Sequence, residues 1–374
     1  MKIAFLFKRD SHFKAVKSTA LRVCAQYNCE ATFVGIDSEV LCSQEPYSVI
    51  YITKEDLGIL SEYDYVIACL GGYLLNCTIA MLKDTDTKVI SIFPGIVSHY
   101  QLDAFISRLN ADQVWLNSKA DSELYSKLCR LLKCSNNSIL YGMSWIDLSL
   151  ILKSKSSKEN GSGNIIFFEQ TGLFLNAEEK LYFKKKLSSI FSKNIKLNFK
   201  YKIRDNTNNI YFKELRQSFS KHINVDIVEE ITDIETLDAE FYLSISSSAI
   251  VEGLLYRKYC FLIVKELIDK DSLEFFRNSK LFLNEDTLIY EDTVDENWLD
   301  YRVQSPNKYV NLDAIKKKLP HRFIKGNWIT CYLLLALSLS KLNFAIFLFD
   351  KEKKKSIVKS IDYLNLRSDF NEME

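Results

Sequence analysis

The stretch "EFYLSISSSAIVEGLLYRKYCFLIV", Glu240 to Val264, decides how the chain is read. It opens as an apolar strand, passes through Ser246, Ser247 and Ser248, continues as a helix at "AIVEGLLYRK", and ends in a second apolar strand. Two strands joined by a helix in so short a span are a βαβ unit of a parallel sheet. The serines between them admit two readings. A serine at a helix N-cap satisfies one orphan amide, worth about 1 kcal/mol. Consecutive hydroxyls with free amides also suit a phosphate or diphosphate. Glu252 lies one helical turn beyond Ser248, where a carboxylate can accept ribose hydroxyls.

The same alternation fills the chain on either side. "KIAFLF", "EATFVGI", "SVIYI", "YDYVIACL", "KVISIFP" and "DQVWLNS" read as strands, separated by helical stretches such as "SHFKAVKSTALRVCAQYN" and "YLLNCTIAMLKD". Short apolar strands spaced by helices predict a doubly wound sheet covered on both faces, a Rossmann-like domain over 1–152. "KSKSSKENGSGN", 153–164, has no apolar residue and reads as a linker. The pattern then restarts at "IIFFEQTG" and gives a second Rossmann-like domain over 165–326.

The last part, 327–374, contains "NWITCYLLLALSLSKLNFAIFLF", Asn327 to Phe349, followed by "DKEKKKSIVK". Its length approaches the roughly 20 apolar residues of a membrane span. Lys341 and Asn343 interrupt it, so buried helices packing back on the first domain are expected, with contact to the inner membrane face as the alternative.

The 374 residues suit two domains, and 47% hydrophobic with 26% charged residues describes a globular chain. A formal charge of +1 argues against a nucleic-acid partner. Nine cysteines without CxxC spacing, most in apolar runs, fit a reducing cytoplasmic setting, and no signal peptide is expected from "MKIAFLFKRDSHFK". GxGxxG, GxxxxGK[ST] and GxSxG are absent, as is zinc-ligand spacing, so neither a metal nor a cofactor is expected. "KDTDTK", with Asp84 and Asp86, falls between a helix and a strand and reads as a solvated turn.

Strand-end residues supply the other candidates, because ligands of parallel sheets collect at the carboxyl ends of the strands. In the first domain these are Asp10, placed as general base, with His12, Gly71 and Gly72 on the acceptor side, and His99, a side chain type that can also take a proton or bind acceptor. In the second they are Glu169, Thr171, Lys202 and Arg204, and beyond it His321 in the basic stretch "KKKLPHRFIKGNW". A helix cap is the alternative for Asp10, and a solvated edge for Lys202 and Arg204.

"SISSSAIVEGLLYRKYCFLIV" resembles the donor segment of GT-B glycosyltransferases that use cytidine nucleotides, the bacterial sialyltransferases and related capsule transferases. "VISIFPGIVSHYQLDAFISRLNADQVWLNSKADSELY", Val89 to Tyr125, resembles a segment of bacterial surface-polysaccharide glycosyltransferases. The resemblance implies two Rossmann-like domains facing across a cleft, and an inverting, metal-independent transfer of an acidic sugar from a CMP-linked donor to a glycan or glycolipid acceptor. Ser247 and Ser248 would hold phosphate and Glu252 the ribose. Those sialyltransferases show His-Pro where this chain has Pro320-His321, so the reversed order leaves the role of His321 open. A UDP-sugar donor is the alternative, ranked lower because Cys260 stands where a Glu-x7-Glu pair would place its second glutamate. A non-catalytic nucleotide-sugar-binding protein is the second alternative.

Overall fold

The computed structural model describes residues 1–38, 48–154, 163–170, 176–204, 210–264, 271–291, 293–318 and 355–359. Two compact units emerge, one formed by Met1–Ile146 with the described residues from Tyr301 on, the other by Asp147–Asp300.

In the first unit β1 (Ile3–Phe7) is followed by α1 (Asp10–Tyr27), β2 (Ala31–Ile36) and β3 (Ser48–Ile52). A 3-10 helix over Lys54–Glu62 leads to β4 (Tyr65–Ala68), α2 (Gly72–Leu82), β5 (Lys88–Ser91) and α3 (Leu102–Ile106). Then come β6 (Gln113–Leu116), α4 (Lys119–Leu131) and β7 (Ser138–Leu140). The strands form one parallel sheet in the order β3-β2-β1-β4-β5-β6-β7. Phe5 of β1 lies opposite Phe33 on one side and Ile67 on the other. All of "IAFLF" is buried, as a central strand covered on both faces requires. Val16, Ala20 and Val23 form the buried stripe of α1.

The residues after Tyr301 complete this unit. Gln304 and Asn307 pair through the main chain with Met143 and Tyr141, the latter at 2.7 Å from Asn307 N to Tyr141 O. Ile357 is buried in the first core, while the apolar stretch 327–349 lies outside the described residues. Among the described residues no helix is long and apolar enough to cross a membrane.

The second unit runs through α5 (Leu148–Ser154), β8 (Asn164–Phe168), α6 (Ala177–Lys193), β9 (Asn198–Lys202) and α7 (Ile210–Phe219). It continues with β10 (Val225–Val228), α8 (Asp233–Asp238), β11 (Phe241–Ser244), α9 (Ala249–Leu255) and β12 (Tyr259–Leu262). Its sheet is parallel in the order β10-β9-β8-β11-β12, over a separate apolar core. The expected linker is bounded by Ser154, which ends α5, and Asn164, which opens β8; 155–162 are outside the described residues.

Both sheets reverse direction once, between β1 and β4 in the first and between β8 and β11 in the second. At such a switch point the connections leave to opposite faces, and the carboxyl ends of the two strands open a crevice suited to a ligand.

Candidate functional site

The switch point of the second sheet carries the serine turn. The Oε1 of Gln170, just beyond β8, accepts the Ser246 amide at 2.5 Å and lies 3.3 Å and 3.4 Å from the hydroxyls of Ser246 and Ser244. Gln170 thus ties the ends of β8 and β11 together. The Ser247 hydroxyl accepts the amide of Ala249 at 3.2 Å. Ser248 takes the N-cap position of α9, yet its hydroxyl makes no cap bond. Among the described residues the amides of Ser247 and Ser248 and the Ser248 hydroxyl have no protein partner. Both residues are half-buried at the turn. Ser247, and not Ser248, therefore supplies the hydroxyl that satisfies an amide at the helix start. Glu252 follows on α9, its main-chain amide bonded to Ser248 O at 3.2 Å.

Glu169 sits beside this turn but is engaged inside the unit. It is 4% exposed, and its Oε1 accepts Tyr201 Oη and Arg216 Nε, each at 2.9 Å. Its Oε2 accepts the Arg204 amide at 3.2 Å and Arg216 Nη2. A carboxylate with four donors has its lone pairs occupied, so Glu169 braces the ends of β8 and β9 and the start of the following loop. Burial and the adjoining Glu169 charge push the Tyr201 hydroxyl well above its ordinary range. Lys202 Nζ donates to Ile203 O at 2.8 Å, and Arg204 is exposed. Thr171 and His321 lie outside the described residues.

The switch point of the first sheet gathers Asp10, His12, Gly71 and Gly72. Asp10 is exposed in the first turn of α1, after Arg9 at the N-cap, with no side-chain cap. Gly72 has φ +54°, a left-handed conformation that glycine adopts readily, at the opening of α2. Beside Gly71 lies Arg108, only 4% exposed, with its guanidinium 4.0 Å over the Phe93 ring. Arg108 Nη2 donates to Leu70 O at 2.8 Å and Nη1 to Ala104 O, which pins the end of β4 to α3. Burial lowers its pKa to about 10, so it stays charged at neutral pH. Burial and the charges of Arg108, Arg9 and Lys8 lower His12 to about 4, which keeps it neutral.

His99 stands in the loop after β5, a strand that is separated by β4 from β1, whose end leads to Asp10. Its Nε2 is 3.1 Å from Oδ1 of Asp121, a residue that is 2% exposed, and Arg302 Nη1 approaches the same nitrogen at 3.3 Å. A carboxylate oxygen can only accept and a guanidinium can only donate, so the two contacts at Nε2 call for opposite tautomers, and together they fix the orientation of the ring. Ser118 caps α4 by accepting the Asp121 amide at 3.1 Å and so fixes where Asp121 stands. Asn117 Nδ2 donates to Gly95 O at 3.1 Å and holds the Pro94-Gly95 turn that precedes His99. Asp121, Arg302, Arg108 and Arg216 were absent from the sequence-based set. A Ser-x-x-Asp step at 118–121 reads as a cap, and only the fold brings it to His99.

Asp84 and Asp86 lie in an exposed turn between α2 and the start of β5, opposite the carboxyl edge. Among the described residues no cluster of three or more His, Cys, Asp or Glu is arranged to hold a metal ion.

No protein-family model and no curated protein matches the chain. Solved structures do. Methanocaldococcus jannaschii UDP-GlcNAc 2-epimerase in complex with UDP-GlcNAc and UDP matches with TM-score 0.53 and 12% identity, over 77% of this chain and 90% of that chain. The fold is GT-B-like. Staphylococcus aureus MnaA with UDP matches with TM-score 0.50 and 13% identity, over 80% and 86%. Neisseria meningitidis UDP-GlcNAc 2-epimerase bound to UDP-GlcNAc gives TM-score 0.50 and 11% identity, over 77% and 88%.

Proposed function

We propose that the chain is a glycosyltransferase of GT-B-like fold that takes a UDP-sugar as donor and a hydroxyl of a glycan or glycolipid as acceptor. The observation that carries this reading is the turn at the end of β11. Two successive amides and the Ser248 hydroxyl lack a protein partner there, at the switch point of a parallel sheet. Such donors suit the oxygens of a diphosphate. In the reaction His99 takes the acceptor proton as the bond from sugar to phosphate breaks, and Asp121 holds the imidazole in place. The serine turn stabilises the charge on the departing phosphate. Asp10 remains the second candidate for the base.

Uridine replaces cytidine in this proposal because the similar structures named above are described with UDP or UDP-GlcNAc. The missing second glutamate is weak evidence against it. Helix α9 ends at Leu255, so position 260 lies on β12, where Cys260 is buried with Sγ against Ile250 O. A glutamate there would not face a nucleotide from the helix. Phosphate and ribose are common to UDP and CMP, so the roles of Ser247, Ser248 and Glu252 carry over unchanged. The test is incubation with UDP-sugars and separation of released UDP from intact donor. Slow hydrolysis in water, accelerated by an acceptor, is expected; a protein that binds UDP and never cleaves the donor would contradict a transferase.

A second reading is epimerisation of the UDP-sugar itself, favoured because all three of those structures are UDP-GlcNAc 2-epimerases or carry UDP in the same fold. Proton NMR of UDP-GlcNAc in deuterated water separates the two. Exchange at C2 without UDP release supports epimerisation, and UDP release without exchange supports transfer.

A further inference from the structure

Two helices of the first unit end in the same way, and each closes on a pair of cysteines. Helix α1 ends with Asn28 at φ 48°, and the amide of Cys29 bonds to Cys24 O at 3.2 Å. Helix α4 ends with Lys133 at φ 52°, and the amide of Cys134 bonds to Cys129 O at 2.9 Å. Lys133 N also bonds to Arg130 O, at 3.3 Å. These are the bonds of a Schellman-type cap, in which the residue before the last turn and the one after the left-handed residue come into side-chain contact. That contact is ordinarily apolar; in both helices the two positions are cysteines. The spacing "CAQYNC" and "CRLLKC" is the same.

The two pairs differ in their surroundings. Cys129 is 2% exposed and Cys134 is half-buried, so Cys134 is the more accessible residue of the pair. Cys129 and Cys134 stand on either side of the cap, and the charge of the Lys318 ammonium, anchored to Leu109 O at 2.6 Å, favours the thiolate of both. We propose that Cys129 and Cys134 form an oxidisable dithiol in which Cys134 attacks a small disulfide and Cys129 resolves the product. Hydrogen bonding from Cys129 lowers the Cys134 thiol from its usual range and raises that of Cys129. In the other pair burial pushes Cys24 up to about 12, with no cation acting on it.

With oxidised glutathione as the co-reactant the step balances. The Cys134 thiolate attacks one sulfur, forms a mixed disulfide and expels one glutathione thiolate. Cys129 then gives up its proton, attacks the Cys134 sulfur and displaces the second glutathione. Two protein thiols are oxidised and one glutathione disulfide is reduced to two thiols. The Cys129–Cys134 bond that results would cross-link the last turn of α4 to the residue beyond its cap.

The test uses the folded full chain with oxidised glutathione, acid quench and peptide mapping. Expected is an internal Cys129–Cys134 disulfide forming faster than Cys24–Cys29, because the Cys134 thiol is lowered whereas burial raises that of Cys24. Cys129→Ser is expected to accumulate glutathione on Cys134, and Cys134→Ser, at a half-buried position, to leave Cys129 reduced. Glutathione persisting on Cys134 of the unsubstituted chain, equal rates at the two pairs, or reaction only after unfolding in urea would each overturn the proposal.

Discussion

Asp121 Oδ1 lies 3.1 Å from His99 Nε2 although 22 residues separate them, because the loop after β5 and the start of α4 meet at one edge of the first sheet. A buried carboxylate at this distance holds an imidazole in one orientation. His99→Ala is expected to lower kcat for sugar transfer by about 10² to 10⁴. Asp121→Asn is expected to lower it by at least about tenfold through loss of the charged group that orients the ring, with UDP affinity unchanged in both variants. Steady-state kinetics with a separate UDP titration checks this. Full activity in either variant would return the role of base to Asp10.

His12 predicts a pH dependence of stability. Its folded pKa of about 4 lies below the usual 6.5 because of burial and the nearby charges of Arg108, Arg9 and Lys8. The unfolded chain therefore binds a proton between these values and the folded chain does not. Stability is unaffected above pH 6.5 and falls as pH drops toward 4, by about 3 kcal/mol in total. Urea unfolding from pH 7 to pH 4 should show a steeper loss in the unsubstituted chain than in His12→Gln.

The Glu169–Arg216 pair supports the second unit. Removing one partner of a buried, hydrogen-bonded ion pair leaves an uncompensated charge, which costs about 3–5 kcal/mol. Arg216→Met is expected to shift the urea midpoint accordingly, and a change within 0.5 kcal/mol, the usual range for a surface site, would contradict the bracing role.

How much of this was legible depends on locality. Strands such as Ile3–Phe7 and Phe241–Ser244 stood out because a strand buried on both faces is apolar throughout. The three residues of β7 carry too little pattern to be read, whereas α4 shows Ala120, Leu124, Tyr125 and Leu128 at helical spacing. The serine turn could be placed from its strand and helix alone. Glu169 could be placed at a strand end, but its partner Arg216 lies 47 residues away on α7, and Arg302 lies 203 residues from His99. Those pairings follow from topology and not from spacing. The cysteines show the opposite case, since a Cys-x4-Cys repeat is visible in the letters but acquires meaning only when both pairs close a helix end.

Gly142 tests the seating of the segment after Arg302. It adopts φ +94°, and a Cβ there would stand 2.3 Å from Ser305 O. Gly142→Ala is expected to destabilise by at least about 2 kcal/mol, through backbone strain and the displaced contact. Thermal unfolding measures it, and an unchanged midpoint would contradict the packing of 304–307 against 141–143.

The central claim is that the turn at Ser246–Ser248 holds the phosphates of a uridine nucleotide. Isothermal titration of UDP and CMP into the full chain and into Ser248→Ala tests it most directly, because the Ser248 hydroxyl makes no cap bond and its removal should leave the fold intact. The account predicts tighter binding of UDP than of CMP, and a loss of about tenfold for UDP in the variant, the worth of one hydrogen bond to a charged oxygen. Equal UDP affinity in the two proteins, or no UDP binding to either, would contradict it.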